Sequence, residues 1–502
     1  MIRLSDVWYR YPNSRWALEG IDLSIDKEEY IYICGANGSG KSTLGYLFNG
    51  LIPHFFGGTL KGSVFVDGIN TQERRVSDFL SHVGLVLQNP DAQLFSNTVE
   101  EEIVFGLENL GLPPHEMDVR IEEISKMIHI EDLLDRTPVS LSGGEKRLVA
   151  IASVLCLNPS LLLLDEPYAN LDWEGIHRVR KVLRDIHLKG KGVVVIEQRA
   201  DGTMNDATRC IVISQGKILF DGTPEKANDL LVRSKLIPHY KKRNKPKDFD
   251  KNPFLEIQGL SYHVGEKEIL RGLSFEFKRG ETVAIVGKNG SGKTTLIKHF
   301  NGLLRPTDGT VRFQGEEVGG KAPSEMAVEL GLSFQNPNDQ FFKNNVGEEL
   351  MVGPKAIGKE EKTWIEEVWD IFDLHGLLDR SPFRLSEGEK KRVAVSSILV
   401  MAPKLLILDE PTIGQDGRFR ETLAHVLSDL EDRGFTIIIV THDLEFAKAT
   451  TDRWIVMLDG KVVGDGLPDD LLDDVRLKHM GALGWMDSDS ETSSWIKERE
   501  TV

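Results

Sequence analysis

The sequence lacks three features, and each absence excludes a class of protein. It has only 3 cysteines in 502 residues, and none of them forms a C-x-x-C pair. A disulfide scaffold is therefore excluded, and no cysteine-based zinc or iron–sulfur site is expected. The longest apolar run, residues 148–157, is well short of the roughly 20 residues that span a membrane. We therefore expect any work at a membrane to depend on partner subunits.

Positive charge is also scarce. The chain has 61 lysines and arginines against 78 aspartates and glutamates, a formal net charge of −17. This excess of acid disfavours broad binding to nucleic acid, so no nucleic-acid partner is expected. The hydrophobic fraction of 40% is typical of a globular protein. With 502 residues, the chain is long enough for at least two domains of ~100–250 residues.

Three motifs occur twice along the chain. The pairs are residues 35–42 with 287–294, residues 141–147 with 385–391, and residues 161–167 with 405–411. Their offsets are 252 (287 − 35), 244 (385 − 141) and 244 (405 − 161). Because the offsets differ by only eight residues, the repeat indicates two copies of one domain.

The repeat predicts two domains with a linker between them. We place the first domain at residues 1–226, the linker at 227–252, the second domain at 253–472 and an acidic tail at 473–502. The centre of the linker, residues 241–247, is basic and contains a proline, so we interpret it as solvent-exposed. A patch that binds anionic lipid or nucleic acid is the alternative.

Each glycine-rich motif lies between a strand pattern and a helix pattern. Apolar segments at residues 30–34 and 282–286 lead into the motifs, and helix patterns follow at 43–48 and 295–300. Later buried strands alternate with polar-faced helices, which is typical of a parallel sheet. The predicted fold class is α/β.

The pattern Gly-x-x-x-x-Gly-Lys-Ser/Thr predicts a phosphate-binding loop. Its backbone N–H groups curl around phosphates, and the following helix N-terminus adds partial positive charge. We expect Lys41 and Lys293 to reach the β- and γ-phosphates, and Ser42 and Thr294 to hold Mg²⁺. Two copies in this context disfavour a plain glycine-rich turn. The predicted nucleotide contacts are Gly35, Asn37, Gly38, Ser39, Gly40, Lys41, Ser42 and Thr43, and Gly287, Asn289, Gly290, Ser291, Gly292, Lys293, Thr294 and Thr295.

A second motif supplies paired carboxylates. Four apolar residues end in Asp165-Glu166 and again in Asp409-Glu410. We expect the aspartates to bind Mg²⁺ and the glutamates to polarise the attacking water, as general base or positioner. Acidic helix caps are the alternative, but they do not explain why both copies follow a phosphate loop.

Residues 141–145, Leu-Ser-Gly-Gly-Glu, resemble the signature motif of ABC ATPases. The family's Q-loop glutamines match Gln88 and Gln335, its D-loop aspartates match Asp172 and Asp416, and its switch histidine matches His442. The resemblance implies two tandem phosphate-loop NTPase domains. Each would have a mostly parallel sheet core, an N-terminal antiparallel β part, and a helical subdomain between Q-loop and signature.

The resemblance also implies how the halves work. They would pair within one chain and enclose two ATP molecules, each between the phosphate loop of one half and the signature of the other. The family's Q-loop glutamines also contact Mg²⁺, which implies that role for Gln88 and Gln335. The implied signature contacts to ATP are Ser142, Gly143 and Gly144 in the first half, and Ser386 and Gly388 in the second.

A narrower resemblance follows each Q-loop. Residues 88–95, 98–106 and 109–113 look like the ATPases of energy-coupling factor (ECF) importers, and residues 335–342 repeat the start. This implies uptake of a vitamin or transition-metal ion at the cytoplasmic face of the membrane. The implied partners are a transmembrane coupling subunit and a substrate-binding membrane subunit.

A soluble tandem ABC ATPase acting on ribosomes or nucleic acid is the alternative function. Ribosomal members of this class usually have a long charged arm between the halves, whereas this linker is short. DNA-repair members insert a coiled coil or zinc module within a domain. The distances from phosphate-loop lysine to signature are 100 (141 − 41) and 92 (385 − 293) residues, which leave no room for one.

Tyr11 lies 24 residues before Gly35, where the family places an aromatic ring for stacking on adenine. Stacking and simple packing both remain open for it. In the second half the equivalent position is Tyr262, His263 or Val264.

Three departures distinguish the halves. Gln198 stands where the first half should have a switch histidine, Glu387 replaces a signature glycine, and the second D-loop contains Gln415. Glutamine forms hydrogen bonds but carries no imidazolium charge. In the implied pairing these changes meet at one site, so the site on the second phosphate loop is predicted to be the main hydrolytic one. Equal hydrolysis at both sites remains open, because Glu166 is present.

Overall fold

The computed structural model describes residues 1–240 and 252–484. These form two compact units that divide between Pro238 and His239. We call them half one and half two. Each contains one small antiparallel sheet and one six-stranded sheet.

Half one begins with the antiparallel sheet, whose strand order is β2-β1-β4-β5, and its larger sheet has the order β10-β9-β3-β8-β7-β6. Its strands are β1 Ile2–Arg10, β2 Leu18–Ile25, β3 Tyr30–Cys34, β4 Thr59–Val66, β5 Ile69–Asn70, β6 Val83–Val86, β7 Leu161–Asp165, β8 Gly192–Glu197, β9 Arg209–Ser214 and β10 Lys217–Gly222. Its helices are α1 Lys41–Phe48, α2 Leu51–His54, α3 Val99–Asn109, α4 Pro114–Ile128, α5 Gly143–Leu155, α6 Trp173–Leu188 and α7 Pro224–Arg233.

Half two repeats this plan, with sheet orders β12-β11-β14-β15 and β16-β17-β18-β13-β19-β20. Its strands are β11 Pro253–Val264, β12 Lys267–Lys278, β13 Thr282–Val286, β14 Asp308–Phe313, β15 Glu316–Glu317, β16 Leu330–Ser333, β17 Leu405–Asp409, β18 Thr436–Thr441, β19 Arg453–Leu458 and β20 Lys461–Gly466. Its helices are α8 Lys293–Phe300, α9 Pro323–Met326, α10 Val346–Ile357, α11 Lys362–Ile371, α12 Glu387–Leu399, α13 Gly417–Asp432, α14 Leu444–Thr450, α15 Pro468–Asp473 and α16 Val475–His479.

The central strands are apolar throughout because both faces of the larger sheets are covered. Every residue of β3, β7, β13 and β17 is buried. In each larger sheet five strands pair in parallel, and one edge strand, β10 in half one and β20 in half two, is antiparallel. Parallel strands covered on both faces read as continuous hydrophobic runs, which explains the pattern. The predicted α/β fold is confirmed, including the antiparallel part and the helices between Q-loop and signature.

The predicted domain boundaries at residues 226 and 472 both fall inside helices. α7 continues to Arg233 and buries Ala227 and Leu231 in the core of half one. Beyond residue 472, α16 buries Leu477. The basic linker centre, residues 241–247, and the end of the acidic tail, residues 487–502, lie outside the described residues. Across 1–240 and 252–484, no helix combines the length and apolar character that crossing a membrane requires.

Candidate functional site

Each phosphate loop joins a buried strand to a helix. β3 leads into residues 35–40 and α1 begins at Lys41, and β13 and α8 are arranged in the same way around Lys293. The last loop residue, Gly40, has a φ of 106°, and a Cβ there would lie 2.7 Å from the backbone oxygen of Ala17. Only glycine adopts this conformation without strain, so the loop depends on it to pack beside the start of β2.

The two phosphate-loop lysines fold back over their loops. Lys41 Nζ donates to the backbone oxygens of Gly35 at 2.7 Å and Ala36 at 2.9 Å. Lys293 Nζ donates to the backbone oxygens of Gly287 and Lys288, both at 2.7 Å. Burial lowers the pKa of Lys41, and nearby carboxylates oppose that shift. A phosphate chain would replace the water that these ammonium groups lose, so the predicted lysine role fits their surroundings.

The residues predicted to hold Mg²⁺ lie together in each half. Ser42 Oγ donates to Asp165 Oδ1 at 3.2 Å, and Thr294 Oγ1 donates to Asp409 Oδ2 at 2.9 Å. Burial raises the pKa of each aspartate to about 6. Within the described part of the chain, the buried Oδ1 of Asp409 has no hydrogen-bond partner. Hydroxyl and carboxylate oxygens are ligands that Mg²⁺ prefers, so both residue pairs fit this ion.

The two predicted water-activating glutamates share an unusual backbone conformation. Glu166 has a φ of 49° and Glu410 a φ of 48°, in the left-handed region. This conformation costs a non-glycine residue about 1–3 kcal/mol and is common at functional sites. The N–H of Glu166 donates to Ile196 O and that of Glu410 to Val440 O, both at 2.8 Å. The neighbouring strand therefore holds each glutamate at the edge of the larger sheet.

In half one, neutral amides flank the glutamate. Gln88 Nε2 donates to Glu166 Oε2 at 2.6 Å, and Gln198 Nε2 donates to Glu166 Oε1 at 2.5 Å. A further carboxyl group, Glu197, is buried nearby and accepts a hydrogen bond from Tyr168 N at 3.1 Å. Burial, and then the charge of Glu166, raise the pKa of Glu197 to about 8. Glu197 is therefore held largely protonated at neutral pH.

In half two, a histidine takes the place of the amide. His442 Nδ1 donates to Glu410 Oε1 at 2.9 Å, and Thr441 Oγ1 donates to Glu410 Oε2 at 3.1 Å. Burial raises the pKa of Glu410, but His442 and Lys293 outweigh it and leave that pKa below its usual value. Burial lowers the pKa of His442, and Glu410 outweighs this to leave it raised. Both shifts favour an ion pair of carboxylate and imidazolium.

The signature motifs cap their helices. Ser142 Oγ accepts from Glu145 N at 3.3 Å, and Glu145 Oε2 accepts from Ser142 N at 2.7 Å, a capping box that begins α5. Ser386 and Glu389 form the same box at the start of α12. The glycines Gly143, Gly144 and Gly388 lie in these first turns.

One basic residue ties each signature helix to its Q-loop. Arg147 donates to the backbone oxygens of residue 87 at 2.7 Å and Gln88 at 2.8 Å. In half two, Lys391 Nζ donates to the backbone oxygens of residue 334 at 3.3 Å and Gln335 at 2.8 Å. The structure therefore links the signature to the Q-loop in both halves, although the two cations differ.

Glu387, the departure in the second signature, is not an isolated charge. Lys390 Nζ donates to Glu387 Oε1 at 2.8 Å, one turn along α12. Glu387 adds a negative charge to the second signature, but Lys390 offsets it. Gln415 of the second D-loop is buried and donates to Ile413 O at 3.2 Å within its own turn.

The structure brings most of the predicted residues of each half together. Lysine, hydroxyl residue, aspartate, glutamate and switch position meet at the end of the larger sheet in both halves, and Gln88 joins them in half one. Gln198 and His442 are equivalent, since each lies 32 residues after its glutamate. Sequence reasoning missed Glu197 and the contacts of Arg147. The sequence signal for Glu197 was an acidic residue at the end of a buried strand. The signal for Arg147 was a basic residue at the same position in both copies of the signature motif.

Tyr11 also lies beside the phosphate loop of half one. Its hydroxyl is hydrogen-bonded to Thr43 Oγ1 at 3.1 Å. Its ring packs edge-on against Tyr9, with centroids 5.0 Å apart. The predicted contact between Tyr11 and a nucleotide base remains a prediction, but the ring stands next to the predicted phosphate-binding residues.

Comparison with known proteins places this geometry in a family. The family model described as "ABC transporter" matches residues 18–169 and 270–413. A protein of Caldanaerobacter subterraneus described as "Putative ABC transporter ATP-binding protein" is 37% identical over 515 residues, covering 92% of this chain and 90% of that protein. A protein of Methanosarcina acetivorans with the same description is 34% identical over 525 residues, covering 93% of this chain and 85% of that one.

Among solved structures, the fold resembles that in a complex of archaeal ribosomal stalk protein aP1 and archaeal ribosome recycling factor aABCE1. The TM-score is 0.71, with 22% sequence identity over 99% of this chain and 98% of that chain. At this identity the likeness concerns the fold alone. Together with the two relatives and the duplicated site, the family match identifies the chain as a member of the ABC transporter family, an ATPase with two tandem ATP-binding domains.

Proposed function

We propose that this ATPase is the energy-coupling subunit of an ECF-type membrane importer that takes up a vitamin or transition-metal ion. ATP hydrolysis would drive a transmembrane coupling subunit, which works with a substrate-binding membrane subunit. The chain would then act at the cytoplasmic face of the membrane through these partners. The observation that carries the proposal is an outward-facing phenylalanine placed in the same way after both Q-loops.

Both phenylalanines are held by a buried carboxylate. Phe95 N and Ser96 N donate to Glu102 Oε2, both at 2.8 Å, and the Phe95 side chain is 66% exposed. In half two, Phe342 N donates to Glu349 Oε2 at 3.0 Å, and its side chain is 63% exposed. A large apolar side chain that is solvent-exposed on an anchored backbone, at equivalent positions in both halves, supports a role in contacting a partner.

The same segments adjoin the hydrolytic machinery. In half one, Gln88 donates to Glu166, and Phe95 follows Gln88 by seven residues (95 − 88). Arg147 fixes the backbone at Gln88 from the signature helix. A partner that moved Phe95 would therefore act on a chain segment hydrogen-bonded to the water-activating glutamate. This arrangement supports coupling between membrane subunit and hydrolysis.

For the reaction, we propose that Glu410 accepts the proton of the attacking water while the His442 imidazolium holds the carboxylate in place. Lys293 would stay charged against the phosphates, and Lys41 would do the same in half one. Mg²⁺, held by the Ser42–Asp165 and Thr294–Asp409 pairs, would supply charge neutralisation at the phosphates. Asp409 Oδ1, which has no partner within the described residues, supports that use.

Affinity purification of the full chain from detergent-solubilised membranes would test the partner proposal. We expect integral membrane proteins to co-purify, and Phe95→Ala and Phe342→Ala to reduce their recovery while ATP binding is kept. Leu188→Ala is the matched control, since Leu188 is 70% exposed in half one at the end of α6. Recovery with ribosomes or nucleic acid instead, or unchanged recovery in both phenylalanine variants, would contradict the proposal.

A further inference from the structure

Half one has a cluster of aromatic side chains beside its phosphate loop. The rings of Tyr11 and Phe56 are perpendicular with centroids 5.9 Å apart, and Phe56 stacks on Tyr46 at 5.0 Å with an interplanar angle of 18°. Phe55 extends the cluster, edge-on to Phe56 at 5.2 Å. Phe55 is 76% exposed, so the cluster opens to solvent at this end.

The segment that carries Phe55 and Phe56 is anchored to β1. Tyr9 Oη donates to Gly57 O at 2.9 Å. Gly58 has a φ of 87°, and a Cβ there would lie 2.3 Å from the backbone oxygen of Arg10. Glycine therefore lets the segment pass directly against the strand that leads to Tyr11. Packing of the backbone against β1 therefore fixes the positions of the two phenylalanines.

The cluster reaches the predicted phosphate-binding residues. Tyr11 is hydrogen-bonded to Thr43, and Tyr46 lies one turn after Ser42 on α1. Burial, and then the charge of Asp165, raise the pKa of Tyr46 to about 12, consistent with a place near that carboxylate. A nucleotide whose phosphates lie in the loop would therefore have its base close to these rings.

Within residues 252–484, half two has no equivalent cluster, and beside its phosphate loop Tyr262 and His299 pack edge-on, with centroids 4.9 Å apart. Tyr9 pairs with Leu18 and Tyr262 with Leu270, and each leucine lies 23 residues before its phosphate-loop lysine (41 − 18 and 293 − 270). Tyr262 is thus the counterpart of Tyr9, and Val264 occupies the position of Tyr11.

The remaining positions in half two are also not aromatic. Lys298, five residues after Lys293, replaces Tyr46, which lies five residues after Lys41. The segment after the helix is seven residues long, 301–307, against ten residues, 49–58, in half one, and it contains no aromatic residue.

We propose that Phe55 and Phe56 complete, with Tyr11, a nucleobase subsite in half one that favours purine bases by stacking, whereas half two binds nucleotides with little selection among bases. Aromatic side chains stack on the π-face of any base, and the larger purine ring gains more contact. The inference rests on the proposed binding of nucleotide phosphates by the two loops. It does not depend on the membrane partner.

Isothermal titration calorimetry of the full chain with Mg-ATP and Mg-CTP would test it. Lys293→Ala reports on half one, and Lys41→Ala reports on half two. We expect half one to bind ATP about tenfold more tightly than CTP, and half two to differ by less than about threefold. Adding Phe55→Ala to Lys293→Ala should weaken ATP binding about fivefold or more and lower the ATP:CTP ratio. Phe56→Leu should change the ratio in the same direction.

Leu188→Ala in the Lys293→Ala chain is the matched control, since Leu188 is an apolar residue of the same half that is 70% exposed, and it should leave the ratio unchanged. Phe55 carries little burial, so Phe55→Ala decides the question even if Phe56→Leu fails to fold by circular dichroism. An ATP:CTP ratio unchanged by Phe55→Ala, or equal in the two halves, would overturn the inference. Two nucleotides bound by the Lys41→Ala, Lys293→Ala double variant would instead overturn the phosphate-loop proposal.

Discussion

The two glutamates that end β7 and β17 stand in the same backbone conformation but in different electrostatic surroundings. Glu166 accepts hydrogen bonds from two neutral amides, whereas Glu410 is bonded to a histidine whose pKa is raised. Beside them, half one buries Glu197 where half two has Thr441. The duplication has thus kept the geometry of the predicted phosphate-binding residues and changed the charge around the predicted water-activating carboxylate.

The surroundings of the two glutamates therefore differ in charge more than in shape. An amide can fix the orientation of a carboxylate, but only an imidazolium also offsets its charge and the charge of a phosphate. Both Gln198 and His442 lie 32 residues beyond their glutamates and reach them directly. Substitutions at these few positions should therefore make the halves more alike or more different.

The largest effect is expected from the glutamates themselves. Glu410→Gln should lower the ATPase activity of the full chain at least tenfold, since a positioned general base contributes about 10²–10⁴-fold to its step. Glu166→Gln should leave more than half of the activity, because half one lacks the charged partner. Steady-state phosphate release would measure both, with ATP binding as the control. Equal losses would show that the halves hydrolyse ATP equally.

Exchanging the switch residues should reverse part of this loss. In the Glu410→Gln background, the double change Glu197→Thr with Gln198→His should raise the residual ATPase rate about tenfold, less than the roughly 10²–10⁴-fold of a full acid–base contribution. Gln198→His alone should give less, because the buried carboxyl group of Glu197 remains. Adding Glu387→Gly should contribute little, since Lys390 already pairs with Glu387. No rise in the double variant would count against the charge explanation.

A smaller effect concerns stability and pH. The pKa of Glu197 is raised to about 8 in the folded protein, above its unfolded value near 4.5. The neutral form is favoured on folding, so the stability it contributes is present at low pH and is lost as pH rises from about 4.5 through 8. Between pH 5 and 8, the melting temperature of half one should fall less in Glu197→Gln than in the unchanged chain. Equal slopes of melting temperature against pH in the two proteins, measured by scanning calorimetry, would contradict this.

The smallest effect is expected where the halves differ only in the cation that holds the Q-loop. Lys391 makes in half two the two backbone contacts that Arg147 makes in half one. Arg147→Lys should therefore change ATPase activity less than about twofold, whereas Arg147→Met leaves two carbonyl groups without their donor and should cost more. Similar activities for the lysine and methionine variants would show that the contact between residue 147 and the Q-loop backbone does not affect ATP hydrolysis.

Motifs with fixed spacing were predicted well because the chemistry constrains them. The α/β fold and the family were predicted correctly, and Ser42 with Asp165 and Thr294 with Asp409 came within hydrogen-bond distance as residue types alone suggested. The counterpart of Tyr11 could not be counted from the sequence, because bulges shift the register of β1 and β11. Strand pairing identifies it as Val264.

Side chains whose importance depends on packing were missed. Glu197 reads in the sequence as a polar strand end, and only its burial beside Tyr168 N marks it as a protonated carboxyl group. In the sequence, Phe55 and Phe56 look like ordinary loop residues, because the positions of their rings depend on how the segment packs against β1. The predicted boundary at residue 226 fell inside α7 because two buried apolar residues, Ala227 and Leu231, give a weak pattern over a short helix.

The left-handed backbone at Glu166 and Glu410 has a consequence for which substitutions these two positions can accept. Glycine would relieve about 1–3 kcal/mol of backbone strain at either position. It would also leave Gln198 or His442, each hydrogen-bonded to the carboxylate, without its acceptor. A buried polar group that loses its partner costs about 1–3 kcal/mol, and a charged group costs more, so the relief of strain is offset. The strained backbone and the hydrogen bonds around each carboxylate therefore depend on one another.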